Sequence, residues 1–115
     1  MLRLRTLAQP PEAEGYRLLV AREWPAGFPE SGADGFNPQL APSTGLYEEL
    51  TGHRIAFEQF AEMYAKELEG QKGRLARLAK QAKDFDIVLI TYPDFEGKSV
   101  GQILLDACMK AAEGA

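Results

Sequence analysis

The side chains in this sequence whose types could do chemistry gather in three stretches. Gly97-Lys98-Ser99 has the look of a phosphate-binding loop. A Walker A loop also needs a glycine five residues before its Gly-Lys pair, where its amides can cradle phosphate. That position is Tyr92, so the glycine cradle is missing. Ser99-Val100-Gly101-Gln102 fits a capping box instead, with Ser99 capping a helix and Gln102 reaching back to it. A helix start that follows a parallel strand still offers free N–H groups and the positive end of a dipole. Ligands of open α/β sheets sit beyond the carboxyl ends of the strands. Two strand ends would meet there, one carrying Arg22-Glu23-Trp24-Pro25 and the other Thr91-Tyr92-Pro93-Asp94. Arg22, Trp24, Tyr92, Asp94, Lys98 and Ser99 are therefore the candidate crevice for a small anionic or nucleotide-type ligand. Arginine would fork onto a carboxylate or phosphate and the rings would stack on a planar group. The bland alternative pairs Arg22 with a nearby carboxylate and packs Trp24 on the loop that follows it.

The second stretch is Lys72, Arg74, Arg77, Lys80 and Lys83, with no acid between Gln71 and Lys83. On a helix these lie opposite Leu75, Leu78 and Ala82. Such a face is commonly just solvated, and its sharper reading is a patch for an acidic partner or a nucleic acid. No aromatic residue interleaves with it, so no base-stacking platform is offered. The third comprises His53 and Cys108, each single in the chain. His53, in a helix-start context, reads as a surface or capping residue rather than a general base. Cys108 lies at the edge of an apolar helix face, where a free thiol behaves as a small hydrophobe. One His and one Cys do not make a zinc site of the usual ligand type. The acids Glu48, Glu49, Glu58, Glu62, Glu67 and Glu69 fall mostly on solvated helix faces. The residues thus designate no catalytic group, metal site or cofactor.

The elements that would position these groups follow from periodicity. LRLRTL (2–7) alternates apolar and basic, the pattern of an edge strand that ends at Pro10-Pro11. YRLLVAR (16–22) is more continuously apolar and more central. From Glu23 to Pro42 the chain is rich in Pro and Gly and reads as one long loop. Helices are expected over TGLYEEL, IAFEQFAEMYAKELEG, GRLARLAKQAKD and SVGQILLDACMKAA. DIVLITY (86–92) is a buried strand of the parallel kind. The order β–β–α–α–α–β–α makes the second and third strands parallel, with a right-handed crossover between them, and leaves the strand order open. The fold class is α/β, a small, mainly parallel sheet of three or four strands with helices packed on it. Residues 1–115 form a single domain.

Composition narrows the partners. The net charge of −4 gives no general pull toward nucleic acid or anionic membrane. No apolar run approaches the ~20 residues that span a bilayer. MLRLRTLAQPP lacks the apolar segment of a signal peptide, and the lone cysteine suits a reducing compartment, so a cytoplasmic location is expected. A homodimer is compatible with every reading.

The run Tyr16-Arg17-Leu18-Leu19-Val20-Ala21-Arg22-Glu23-Trp24-Pro25-Ala26-Gly27 resembles the YRVLVDRLWPRG signature of domain-of-unknown-function family 488, of the short YeaO-like type. Leu40-Ala41-Pro42-Ser43-Thr44 resembles its LAPS segment. Phe60, Tyr64, Glu67 and Leu68 resemble its F-x-x-x-Y-x-x-E-L helix, and Ile87 to Tyr92 its last strand. The resemblance is in order along nearly the whole chain. It implies a compact α/β domain with a mainly parallel sheet and no established activity. Two polar positions of that signature are Ala21 and Ala26 here. The family's asparagine-histidine pair after the last strand has no match near Lys98-Ser99-Val100. If those groups make up a family site, this chain keeps only Arg22, Trp24, Pro25, Gly27 and Tyr92 of it. Two functions are left to weigh: a small-ligand site at the strand ends, with or without catalysis, and a non-enzymatic binding module that uses the basic helix face.

Overall fold

A computed structural model describes residues 1–9 and 15–113. The expected break at Pro10-Pro11 lies outside the described residues. Four strands, β1 (Leu2–Thr6), β2 (Tyr16–Leu19), β3 (Gly35–Phe36) and β4 (Ile87–Thr91), form one sheet in the order β1-β4-β2-β3. Every pairing is parallel. The last strand enters between the first two because it carries no charged residue and is buried at all five positions. A run of that kind is stable only with a neighbour on each side and cover on both faces. β1 takes the edge, with Leu2 and Leu4 against the main core. Its arginines stand on the alternate positions, as a strand period of two requires.

The long loop is a correction. Residues 23–42 contain two single 3-10 turns, Glu30–Gly32 and Pro38–Leu40, and between them the two-residue strand β3. Gly35 and Phe36 run beside Leu18 and Leu19 of β2. β2 is also shorter than the apolar run suggests, although Val20 still donates its N–H to the Ile90 carbonyl at 2.8 Å.

The helices α1 (Thr44–Thr51), α2 (Phe57–Glu69), α3 (Lys72–Gln81) and α4 (Val100–Glu113) fall where periodicity put them. They share one face of the sheet, and neighbours along that layer run α3, α4, α2, α1. α2 buries Phe60, Tyr64 and Leu68, its i, i+4, i+8 stripe. The Tyr64 hydroxyl donates to the Leu40 carbonyl at 2.6 Å, which fixes the end of the long segment to the helix layer. The other sheet face is smaller. Leu19, Ala21, Val88 and Ile90 are covered there by Phe28 and Ala33 of the long segment. α4 begins as the capping pattern requires, with the Gln102 N–H donating to Ser99 Oγ at 3.0 Å. The reciprocal half is absent, because the Gln102 amide donates to Asp106 Oδ1 at 2.9 Å. Among the described residues, no helix is long and apolar enough to cross a membrane.

Candidate functional site

The six crevice residues come from β2's continuation and the segment between β4 and α4, and most are committed to partners within the chain. Arg22 is half-buried. Its Nη2 donates to the Ala41 carbonyl at 2.8 Å and its Nε reaches the Ala41 and Pro42 carbonyls at 3.2 and 3.1 Å. The Arg22 backbone N–H donates to the Tyr92 hydroxyl at 3.1 Å. Tyr92 and Tyr47 stack with centroids 4.2 Å apart and planes 19° from parallel. Burial, and then the neighbouring Tyr92, push the Tyr47 hydroxyl's pKa above the ordinary tyrosine value. Trp24 turns toward the long segment: Nε1–H donates to the Phe28 carbonyl at 2.9 Å, and its ring meets Phe28 and Phe36 edge-on. Asp94 is exposed.

The Gly-Lys-Ser stretch is a hairpin rather than a phosphate cradle. Phe95 and Lys98 exchange both backbone hydrogen bonds, at 2.8 and 3.0 Å. Glu96 and Gly97 form the two-residue turn, with φ of 51° and 79°. Both central residues of this turn need φ above zero, which is why a glycine stands at 97. Lys98 Nζ meets Glu58 Oε1 at 2.8 Å and lies 5.5 Å from the Phe57 ring centroid. That ammonium holds the Glu58 carboxyl below its usual value.

The same hairpin carries a contact that no sequence pattern announces. His53 Nε2 lies 2.8 Å from Glu96 Oε1, although 43 residues separate them. Among the described residues, His53 and Glu96 are the non-glycine residues with positive φ, at 59° and 51°. With Arg54, Phe57, Glu58, Phe95 and Lys98 they line an open cleft of about 380 Å³. Its polar side chains already have partners, His53 with Glu96, Lys98 with Glu58 and Arg54 with Glu49. Among the described residues, no three of His, Cys, Asp and Glu gather as a metal site would need. Cys108 is buried, and burial pushes its thiol up to about 11.

The basic face is arranged differently. Lys72, Arg74, Arg77, Lys80 and Lys83 are all exposed. Elsewhere, cations do find anions: Arg17 with Asp34 at 3.1 Å, Arg54 with Glu49 at 3.6 Å, Lys98 with Glu58. Beside α3 an open groove of about 610 Å³ is walled by Ala61, Ala65, Ala76, Ile103, Ala107 and Ala111, from α2, α3 and α4, with Lys72 and Lys110 at its margin. Periodicity revealed the basic face, but the groove depends on how three helices meet.

A parallel four-stranded sheet with helices on one face and an aromatic-framed strand-end region defines a small α/β domain. The chain belongs to domain-of-unknown-function family 488: the family model described as "Inactive DUF488-N3 subclade" matches residues 1–114. It is also 32% identical over 81 residues to the uncharacterized protein YeaO of Escherichia coli (strain K12), covering 69% of this chain and 70% of that protein. No solved structure matches the chain.

Proposed function

We propose that this protein is a non-enzymatic member of its family, a binding module whose contact surface is the basic face of α3. The observation that carries the reading is the exposure of Lys72, Arg74, Arg77 and Lys80 on one helix, with Lys83 exposed in the turn just past its end. The chain's net charge is −4 although these five contribute +5, so the rest of it carries −9. A positive face on so acidic a body creates a local potential that favours one orientation of an anionic partner. The strand-end groups argue the same way. Arg22, Ser99 and Lys98 already hold the Ala41 and Pro42 carbonyls, the Gln102 N–H and the Glu58 carboxylate. A group poised for substrate is held ready by neighbours but keeps its reacting atom open. The description of the matching family model as an inactive subclade agrees.

The test is retention on a heparin matrix at low salt. Wild type is expected to bind and to elute as salt rises, because exposed charges are screened. Arg74→Gln/Arg77→Gln/Lys80→Gln is expected to flow through while keeping its melting temperature. Equal retention of both proteins would remove the reading. So would a thermal shift with phosphates, nucleotides or small carboxylates that is lost in Lys98→Ala and kept in the α3 variant.

A further inference from the structure

Resting on the α3 reading, the structure assigns a partner class to this surface: we infer that it binds an acidic amphipathic helix, apolar stripe in the groove and carboxylates on α3. The basic face and the groove meet at one residue. Lys72 belongs to both, and Ala76 is in the groove wall. Lys72, Ala76 and Lys80 are spaced i, i+4, i+8, so they lie along one line of α3. A ligand seated beside Ala76 therefore has an ammonium ahead of it and another behind it on the same line. Arg77 stands one residue round from Ala76 and widens the positive margin.

The groove decides between kinds of anion. Its apolar wall combines alanines, from Ala61 and Ala65 of α2 to Ala107 and Ala111 of α4, with Leu68, Leu75 and Ile103. Short side chains let another backbone come close, and they offer no donor or acceptor for a base edge or a sugar. A nucleic acid could use the α3 charges but would leave this apolar surface bare. An isolated carboxylate or phosphate would not fill it either. An amphipathic helix uses both parts: anchors at i, i+3, i+4 and i+7 enter the groove, and acids beside them reach Lys72, Arg77 and Lys80. Glu69 and Asp106 also border the groove. That margin sets these two acids against one lysine, Lys110, whereas α3 presents only cations, so the partner's carboxylates belong on the flank of its stripe that faces α3.

Three fluorescein-labelled 20-residue peptides test this by anisotropy against the full chain. One is a helix with a leucine stripe and glutamates on one flank. The second has lysines in place of the glutamates, and the third has the glutamates but serine in place of leucine. A labelled single-stranded RNA 20-mer is the fourth probe. The first peptide is expected to bind at least tenfold tighter than each of the other probes. That advantage should disappear in Ala107→Glu, which fills the groove, and in Lys72→Glu/Lys80→Glu, which reverses the rim. Circular dichroism melts of both variants establish that they fold, and Ala65→Gln replaces Ala107→Glu if that variant does not. Equal binding of the leucine and serine peptides, or preference for RNA, would overturn the helix inference and leave the α3 reading standing. No α3-dependent binding by any acidic probe would remove both.

Discussion

The clearest structural prediction concerns Arg22. Its guanidinium joins the end of β2 to the turn before α1 by bonds to the Ala41 and Pro42 carbonyls, the shortest at 2.8 Å. Ala41 is 1% exposed, so its carbonyl has little access to replacement water. Arg22→Ala removes the donors and leaves these acceptors behind. A hydrogen bond to a charged group contributes ~1.5–3 kcal/mol, and an orphaned buried acceptor costs ~1–3 kcal/mol. Two carbonyls are involved, but Arg22 is only partly buried and water enters the vacated space. We therefore expect a loss of about 2–4 kcal/mol. At about 4 °C per kcal/mol for a domain of this size, the melting temperature should fall by roughly 8–16 °C. Thermal melts by circular dichroism check this. Arg22→Lys should recover part of the loss, since an ammonium can satisfy one carbonyl but lacks the planar fork. A melting temperature within about 2 °C of wild type would refute the reasoning, because a loss of even 1 kcal/mol should exceed that. The guanidinium would then be free for a ligand, and the strand-end crevice would return as the leading site.

Other consequences follow from the same packing. A Cβ on Gly101 would come within 2.5 Å of Thr91 Oγ1 and 3.3 Å of Leu4 Cδ2, so Gly101→Ala should push α4 off the sheet and cost ~1–3 kcal/mol in urea unfolding. The double variant with Thr91→Ala should recover part of it, and simple additivity would contradict the contact. Cys108 should resist iodoacetamide in the native protein and react on unfolding, since its thiol is buried and pushed up to about 11. Native labelling at the rate of a free thiol would show that α4 does not stay packed against the core that buries it. Asp34 accepts from the Arg17 guanidinium at 3.1 and 3.2 Å, and that bond holds its carboxyl below the ordinary range. Its contribution is present above the unfolded-state value of about 4 and is lost as pH falls through the lower folded value. Acid unfolding should therefore flatten in Asp34→Asn below about pH 4, and an unchanged profile would mean the pair contributes nothing.

The sequence was informative where one element explains itself. β4 reads as a buried parallel strand because Ile87 to Thr91 contains no charged side chain and is apolar up to its last residue. α2 reads as a helix because Phe60, Tyr64 and Leu68 repeat at its period. β3 was hidden for the opposite reason. Two residues, one of them glycine, have no period, and their pairing with β2 is imposed from outside. The partners of Arg22 were equally hidden, because backbone carbonyls carry no side-chain signature. His53 and Glu96 meet only through the fold, and neither is a residue whose type announces positive φ. Gly97 misleads as part of a phosphate motif, but its role is the hairpin turn. The α3 cations were visible at once, since a helix of known period needs no tertiary contact to show which face is charged.

The measurement closest to the central claim is an amide ¹⁵N–¹H titration of the full chain with polyglutamate, repeated with inorganic pyrophosphate. The account predicts that polyglutamate shifts amides in 72–83 and that these movements vanish as salt rises. It also predicts that pyrophosphate leaves the amides of 22–24 and 92–99 in place. Saturable shifts at 22–24 and 92–99 with an unmoved α3 would contradict it and return the function to the ends of the strands.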